Sequence, residues 1–85
     1  MSTLKEDKTL TPEQCRAARA LLGWSQSDLE EKASVARKTL ADFEGGKKKR
    51  PYARTLAAVQ AALELAGVDF TNGDMPGVRL RGRQE

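Results

Sequence analysis

The stretch that most restricts the fold is Trp24 to Gly46, which reads WSQSDLEEKASVARKTLADFEGG. Ser25 is a helix cap with Asp28 three residues on, and Leu29 and Ala33 follow as the inward positions of a short helix. Glu30, Glu31 and Lys32 fall on its solvent side. Ser34 and Val35 make a tight turn. A second short helix then runs from about Ala36 to Glu44 with Leu40 and Phe43 inward, and Gly45 and Gly46 stop it. This second helix opens with Arg37 and Lys38, and a basic run from Lys47 to Arg50 follows it directly.

The flanks supply the remaining elements. Residues 1–10 are polar and mixed in charge and read as a disordered arm. Thr11, Pro12 and Gln14 form a strong helix start, with Thr11 as N-cap, Pro12 in the first turn and Gln14 closing a capping box. Cys15, Ala18, Leu21 and Leu22 recur at helical spacing, and Gly23 ends that helix. After the loop at 47–51, a helix is predicted from about Arg54 to Ala66, with Leu56, Val59, Leu63 and Ala66 as its apolar stripe. Gly67 ends it. The period then changes to two. Val68 to Thr71 and Val78 to Arg81 alternate apolar and polar residues around a turn-rich segment at 72–77, the pattern of a β-hairpin. Residues 82–85 are expected to fray. The fold class is therefore all-α, four short helices, with a small C-terminal β-hairpin.

The chain has 85 residues, enough for one small domain. Its 39% hydrophobic and 5% aromatic content suits a helical core of Leu, Ala and Val. The net charge of +3 says less than its distribution: every charge from Lys47 to Arg54 is positive, whereas Asp28, Glu30 and Glu31 share a helix. One cysteine and no histidine exclude a disulfide framework within the chain and make a metal site or His-based catalysis very unpromising. No nucleophile–base pair or phosphate-binding glycine loop is present, so an enzyme is not expected and no cofactor is implied. Met1 to Leu10 lacks the apolar run of a secretory leader, and no segment approaches the ~20 apolar residues of a membrane span. A cytoplasmic location is the expectation.

Two short helices joined by a tight turn, with a basic loop behind the second, are a device for reading double-stranded DNA. The spaced residues Ser25, Gln26, Leu29, Ala33, Val35, Thr39, Leu40, Glu44, Gly45 and Gly46 resemble the Cro and lambda-repressor-like family of helix-turn-helix regulators, also called XRE-type. The resemblance covers about residues 11–67. The segment at 46–51 is similar to the equivalent loop of lambdoid phage repressors. Two positions depart from the family pattern. Ser34 stands where the family has Gly at positive φ, at a cost on the order of 1 kcal/mol. Ala36 stands where it has a Ser or Thr cap, whose absence costs about 1 kcal/mol. The hairpin also replaces the fifth helix that phage repressors use for dimer contacts.

The resemblance implies roles for particular residues. Arg37 and Lys38, with Ala41 and Asp42 one turn later, would meet base edges in the major groove. The Arg fork matches guanine O6 and N7 together, and Asp42 could accept from cytosine N4. Ser25 and Gln26, at the start of the preceding helix, and Lys47, Lys48, Lys49, Arg50 and Tyr52 would meet phosphates. Gln26 would also brace Arg37. Arg19 and Glu44 would form an ion pair that fixes the angle of the recognition helix. From the residues alone, Cys15 is a small buried hydrophobe and Trp24 covers the corner between the first two helices. Arg79, Arg81 and Arg83 form a solvated face.

One such module touches few base pairs, so a homodimer on two half-sites ~34 Å apart is expected. A two-stranded hairpin is marginal alone, so its face of Val68, Phe70, Val78 and Leu80 must pack on the helices or on a second subunit. That makes it the candidate dimer element. The regulator is expected to act as a repressor. The rival reading is a helix-turn-helix module that grips a partner protein, as antitoxins and anti-activators do. Asp42 and the acidic face of Asp28, Glu30 and Glu31 keep that reading tenable.

Overall fold

The computed structural model describes residues 10–46, 53–71 and 75–81. Among these, the chain forms α1 (Pro12–Leu22), α2 (Gln26–Ala33), α3 (Arg37–Glu44), α4 (Ala53–Leu65) and an antiparallel hairpin of β1 (Val68–Thr71) and β2 (Gly77–Leu80). The mostly helical class and the C-terminal hairpin agree with the sequence pattern. Three elements shift by one residue. α3 opens at Arg37 rather than Ala36, α4 spans 53–65 rather than 54–66, and β2 spans 77–80 rather than 78–81.

Local chemistry sets the helix ends. The Thr11 hydroxyl accepts from the Gln14 backbone N–H at 3.0 Å, and the Gln14 side-chain oxygen accepts from the Thr11 N–H at 3.0 Å, completing the capping box. Ser25 and Asp28 repeat the device on α2, at 3.0 and 2.9 Å. Gly23 closes α1 in the left-handed region at φ 71°, where a side chain would be strained. Ser34 closes α2 in the same region at φ 57°, the strained turn expected from its sequence position. Ala36 is extended before α3 and makes no side-chain cap bond.

Helices of eight residues are too short to persist on their own, so α2 and α3 are held by burial. Leu29, Leu40 and Leu63 are fully buried with Cys15, Val59 and Val68 in one core that α1, α2, α3, α4 and β1 all enter. Trp24 is half-buried against that core, with the Lys32 ammonium 5.8 Å from its ring centroid. Leu10 corrects the expected arm. It is only 1% exposed and belongs to the core, so the ordered chain reaches back at least one residue before the Thr11 cap. The cause is position: Leu10 precedes the cap and Cys15 is the fourth helical residue, the two sites of a hydrophobic staple. The rest of the expected disordered arm, residues 1–9, and the tail 82–85 expected to fray lie outside the described residues.

The hairpin packs on the helices of its own chain, β2 against α1 and β1 against α4. Val68 pairs with Leu80 and Phe70 with Val78, so the four share a face as the alternation requires. That face is not available as a unit to a second subunit. Val68 is fully buried in the core, Phe70 and Val78 are half-buried against it, and only Leu80 is exposed. The attachment is polar as well as apolar. The buried Gln14 amide donates to the Thr71 carbonyl at 2.8 Å and the Gly77 carbonyl at 3.1 Å. Both of its N–H donors thus tie α1 to the strand ends flanking the hairpin loop. Arg79 and Arg81 pair with Asp69 on the neighbouring strand, and Arg81 also donates to the Glu64 carbonyl at 2.8 Å.

Candidate functional site

At its C-terminal end α3 is tied to α1 and α2 through Glu44, next to the buried Phe43. Glu44 is 3% exposed, and a carboxylate so placed needs donors to offset its lost hydration. Arg19 on α1 donates through Nη2 to Oε1 at 2.7 Å and through Nε to Oε2 at 2.8 Å. Gln26 on α2 donates to Oε1 at 3.0 Å, and the Cys15 thiol on α1 donates to Oε2 at 2.9 Å. Arg16 donates to the Glu44 backbone carbonyl. Burial by itself would raise the Glu44 carboxyl. The hydrogen bonds from Arg19, Cys15 and Gln26 and the Arg19 charge outweigh it and hold the group below its ordinary range. The same contact with Glu44 raises Arg19 further. The cluster joins α1, α2 and the end of α3, and the expected pair of Arg19 and Glu44 is its strongest part.

Cys15 is fully buried, as its place on the inner stripe predicts. Desolvation raises its pKa far above the normal thiol range, and the bond to Glu44 adds to the rise. It is a thiol at any physiological pH and donates to the carboxylate. The sequence showed a small hydrophobe at this position. Its use as a hydrogen-bond donor rests on Glu44 arriving from 29 residues away.

The other end of α3 is open. The Arg37 side chain is 62% exposed and that of Lys38 86% exposed, both in the first turn. Arg37 Nε donates to Glu30 Oε1 at 3.1 Å and its Nη2 donates to Ser27 Oγ at 2.6 Å. Lys38 donates to Asp42 one turn on at 3.1 Å, along the same helix, and Ala41 beside them is half-buried. Gln26 is therefore not the brace of Arg37. Its amide reaches the Glu44 carboxylate instead, and Ser27 and Glu30 hold Arg37. Glu30, expected on the solvent side of α2, has a side chain only 31% exposed and engaged with α3. Ser25 serves α2 as its cap. Lys47, Lys48, Lys49, Arg50 and Tyr52, read as phosphate contacts, lie outside the described residues, as does Arg83.

The geometry presents two exposed cations at the start of a helix whose far end is locked into the core. No helix among the described residues is long and apolar enough to cross a membrane. A search of curated proteins returns no match. A family model described as helix-turn-helix matches residues 16–70, which include α2, the Ser34 turn and α3. With that span covering well over half of the sequence, the chain belongs to the XRE-type helix-turn-helix family of DNA-binding regulators.

Proposed function

We propose that the protein is a sequence-specific repressor that reads the major groove with α3 and binds as a homodimer. The observation that carries this reading is the asymmetry of α3. Arg37 and Lys38 are exposed at its start, while Glu44 at its end is buried among donors from α1 and α2. A helix anchored in this way can insert its first turn without rearranging. Arg37 and Lys38 are assigned to base edges, with Asp42 and Ala41 one turn behind. The Lys47 to Arg50 run and Tyr52 are assigned to phosphates on charge and position in the sequence. Gln26 is assigned to the phosphate nearest the start of α2, where the helix N-terminus adds partial positive charge.

Selection of bound duplexes from a random pool, followed by salt titration of the enriched sequence, tests the reading. A palindromic enriched sequence, a steep loss of affinity with salt, and loss of base preference in Arg37→Ala support it. Failure to enrich any sequence, with weak binding at physiological salt, would overturn it in favour of a module that grips a protein.

A further inference from the structure

We infer that Glu30 and Ser27 are specificity-determining positioning residues, which hold Arg37 by one edge of its guanidinium and leave the other edge set to read guanine. The inference rests on the DNA-reading function proposed above and adds residues to it that touch no base themselves.

A guanidinium offers two two-donor edges. One is formed by Nε and the near hydrogen of Nη2, the other by Nη1 and the far hydrogen of Nη2. In this chain the first edge is occupied: Nε donates to Glu30 Oε1 at 3.1 Å and Nη2 to Ser27 Oγ at 2.6 Å. Among the described residues Nη1 makes no hydrogen bond, and the side chain is 62% exposed. The second edge is the fork that matches guanine O6 and N7. An unheld arginine would lose much rotamer freedom on making that contact. Two acceptors on a neighbouring helix impose part of that ordering before DNA arrives. Both acceptors lie on α2, whose own position is set by burial of Leu29 and Ala33, so the backbone that carries the brace is held by the core.

The identity of the brace has a second consequence. Glu30 is a carboxylate placed beside the residue that must approach a polyanion. Its charge opposes DNA of every sequence alike, while its bond to Arg37 favours only a duplex with guanine at the right step. One side chain therefore lowers general affinity and raises selectivity. Plain electrostatics predicts only the first effect, and a merely structural residue would change specific and general binding in the same direction.

The test measures affinity of the full chain for its enriched duplex, for that duplex with the Arg37-dependent base pair replaced, and for an unrelated duplex. Wild type, Glu30→Ala, Ser27→Ala, Arg37→Ala and the Glu30→Ala/Arg37→Ala double variant are compared at one salt concentration, with thermal melting as a check on folding. In Glu30→Ala, discrimination at the Arg37-dependent base pair is expected to fall about tenfold while affinity for the unrelated duplex stays level or rises. In the Arg37→Ala background the same substitution should leave discrimination unchanged. Ser27→Ala should lose discrimination in part, with no change in general affinity, because it removes no charge. Retention of full base preference by Glu30→Ala, or an equal change on all three duplexes, would overturn the inference and leave the DNA-reading function standing. A wild-type chain that enriches no sequence would overturn both.

Discussion

At the scale of single residues, Glu44 carries the largest consequence. It accepts from Arg19, Gln26 and Cys15, and no solvent can replace them at 3% exposure. Replacing it by Gln would leave Arg19, whose side chain is 19% exposed, without its counter-charge, at a cost of about 3 kcal/mol at neutral pH. The pH dependence follows from the direction of the shift. The folded-state carboxyl lies below its unfolded value, so the unfolded chain takes up the proton first as acid is added. The Glu44 contribution is fully present above the unfolded pKa of about 4.3 and is lost as pH falls through the lower folded value. Denaturant unfolding of wild type and Glu44→Gln should therefore differ most at neutral pH and converge through the acid range. A gap that stays constant down to pH 3 would show that the carboxylate charge is not what the cluster holds.

At the scale of elements, the two faults in the helix-turn-helix are separable from its geometry. Ser34 holds a left-handed conformation at φ 57°, and Ala36 leaves α3 without a side-chain cap. Ser34→Gly should relieve strain of about 1 kcal/mol, and Ala36→Ser should add a cap bond of about the same size. For a domain of this length each should raise the melting temperature by about 4–8 °C, additively to the extent that the two act on different helix ends. A fall in either would mean that the turn does not have the described backbone. Both faults were legible in the sequence, because caps and left-handed turns depend on residues within four positions of each other. The same locality explains why the capping boxes at Thr11 and Ser25 and the stop at Gly23 are where the pattern puts them. It also explains what was missed. Leu10 is a lone apolar residue in a polar run, with no periodicity to mark it. Gln14 was visible as a capping residue, but its two bonds to the hairpin carbonyls span 57 and 63 residues. The brace on Arg37 crosses from α2 to α3: the resemblance pointed to Gln26, and nothing local in the sequence marked Ser27 or Glu30 for that contact.

At the scale of the whole molecule, the proposed homodimer requires a surface that the monomer does not already use. The shared hairpin face is mostly spent: Val68 fills the core, and Phe70 and Val78 pack against it. Leu80, at 43% exposure, is the part of that face left over, and it sits on β2 at the margin of the sheet. In a two-fold interface each copy contributes the same residue, so a change at Leu80 is counted twice. Covering the exposed part of one leucine is worth roughly 1 kcal/mol, and two copies give about 2 kcal/mol, or on the order of thirtyfold in dimerisation. Leu80→Gln removes that gain without altering net charge, so phosphate attraction is unchanged. The expected result is a dimer weakened by that factor in sedimentation, with the monomer's melting curve nearly intact and affinity for a single half-site preserved. Val68→Gln, by contrast, should unfold the domain, since it places an amide in a fully buried site with no partner supplied. A Leu80→Gln variant that dimerises as wild type does would remove the hairpin from the interface and direct attention to the other exposed leucines, Leu65 and Leu21. If wild type itself sediments as a monomer at high concentration, two copies could meet only on DNA, and operator binding should then be cooperative in protein concentration rather than set by a preformed dimer.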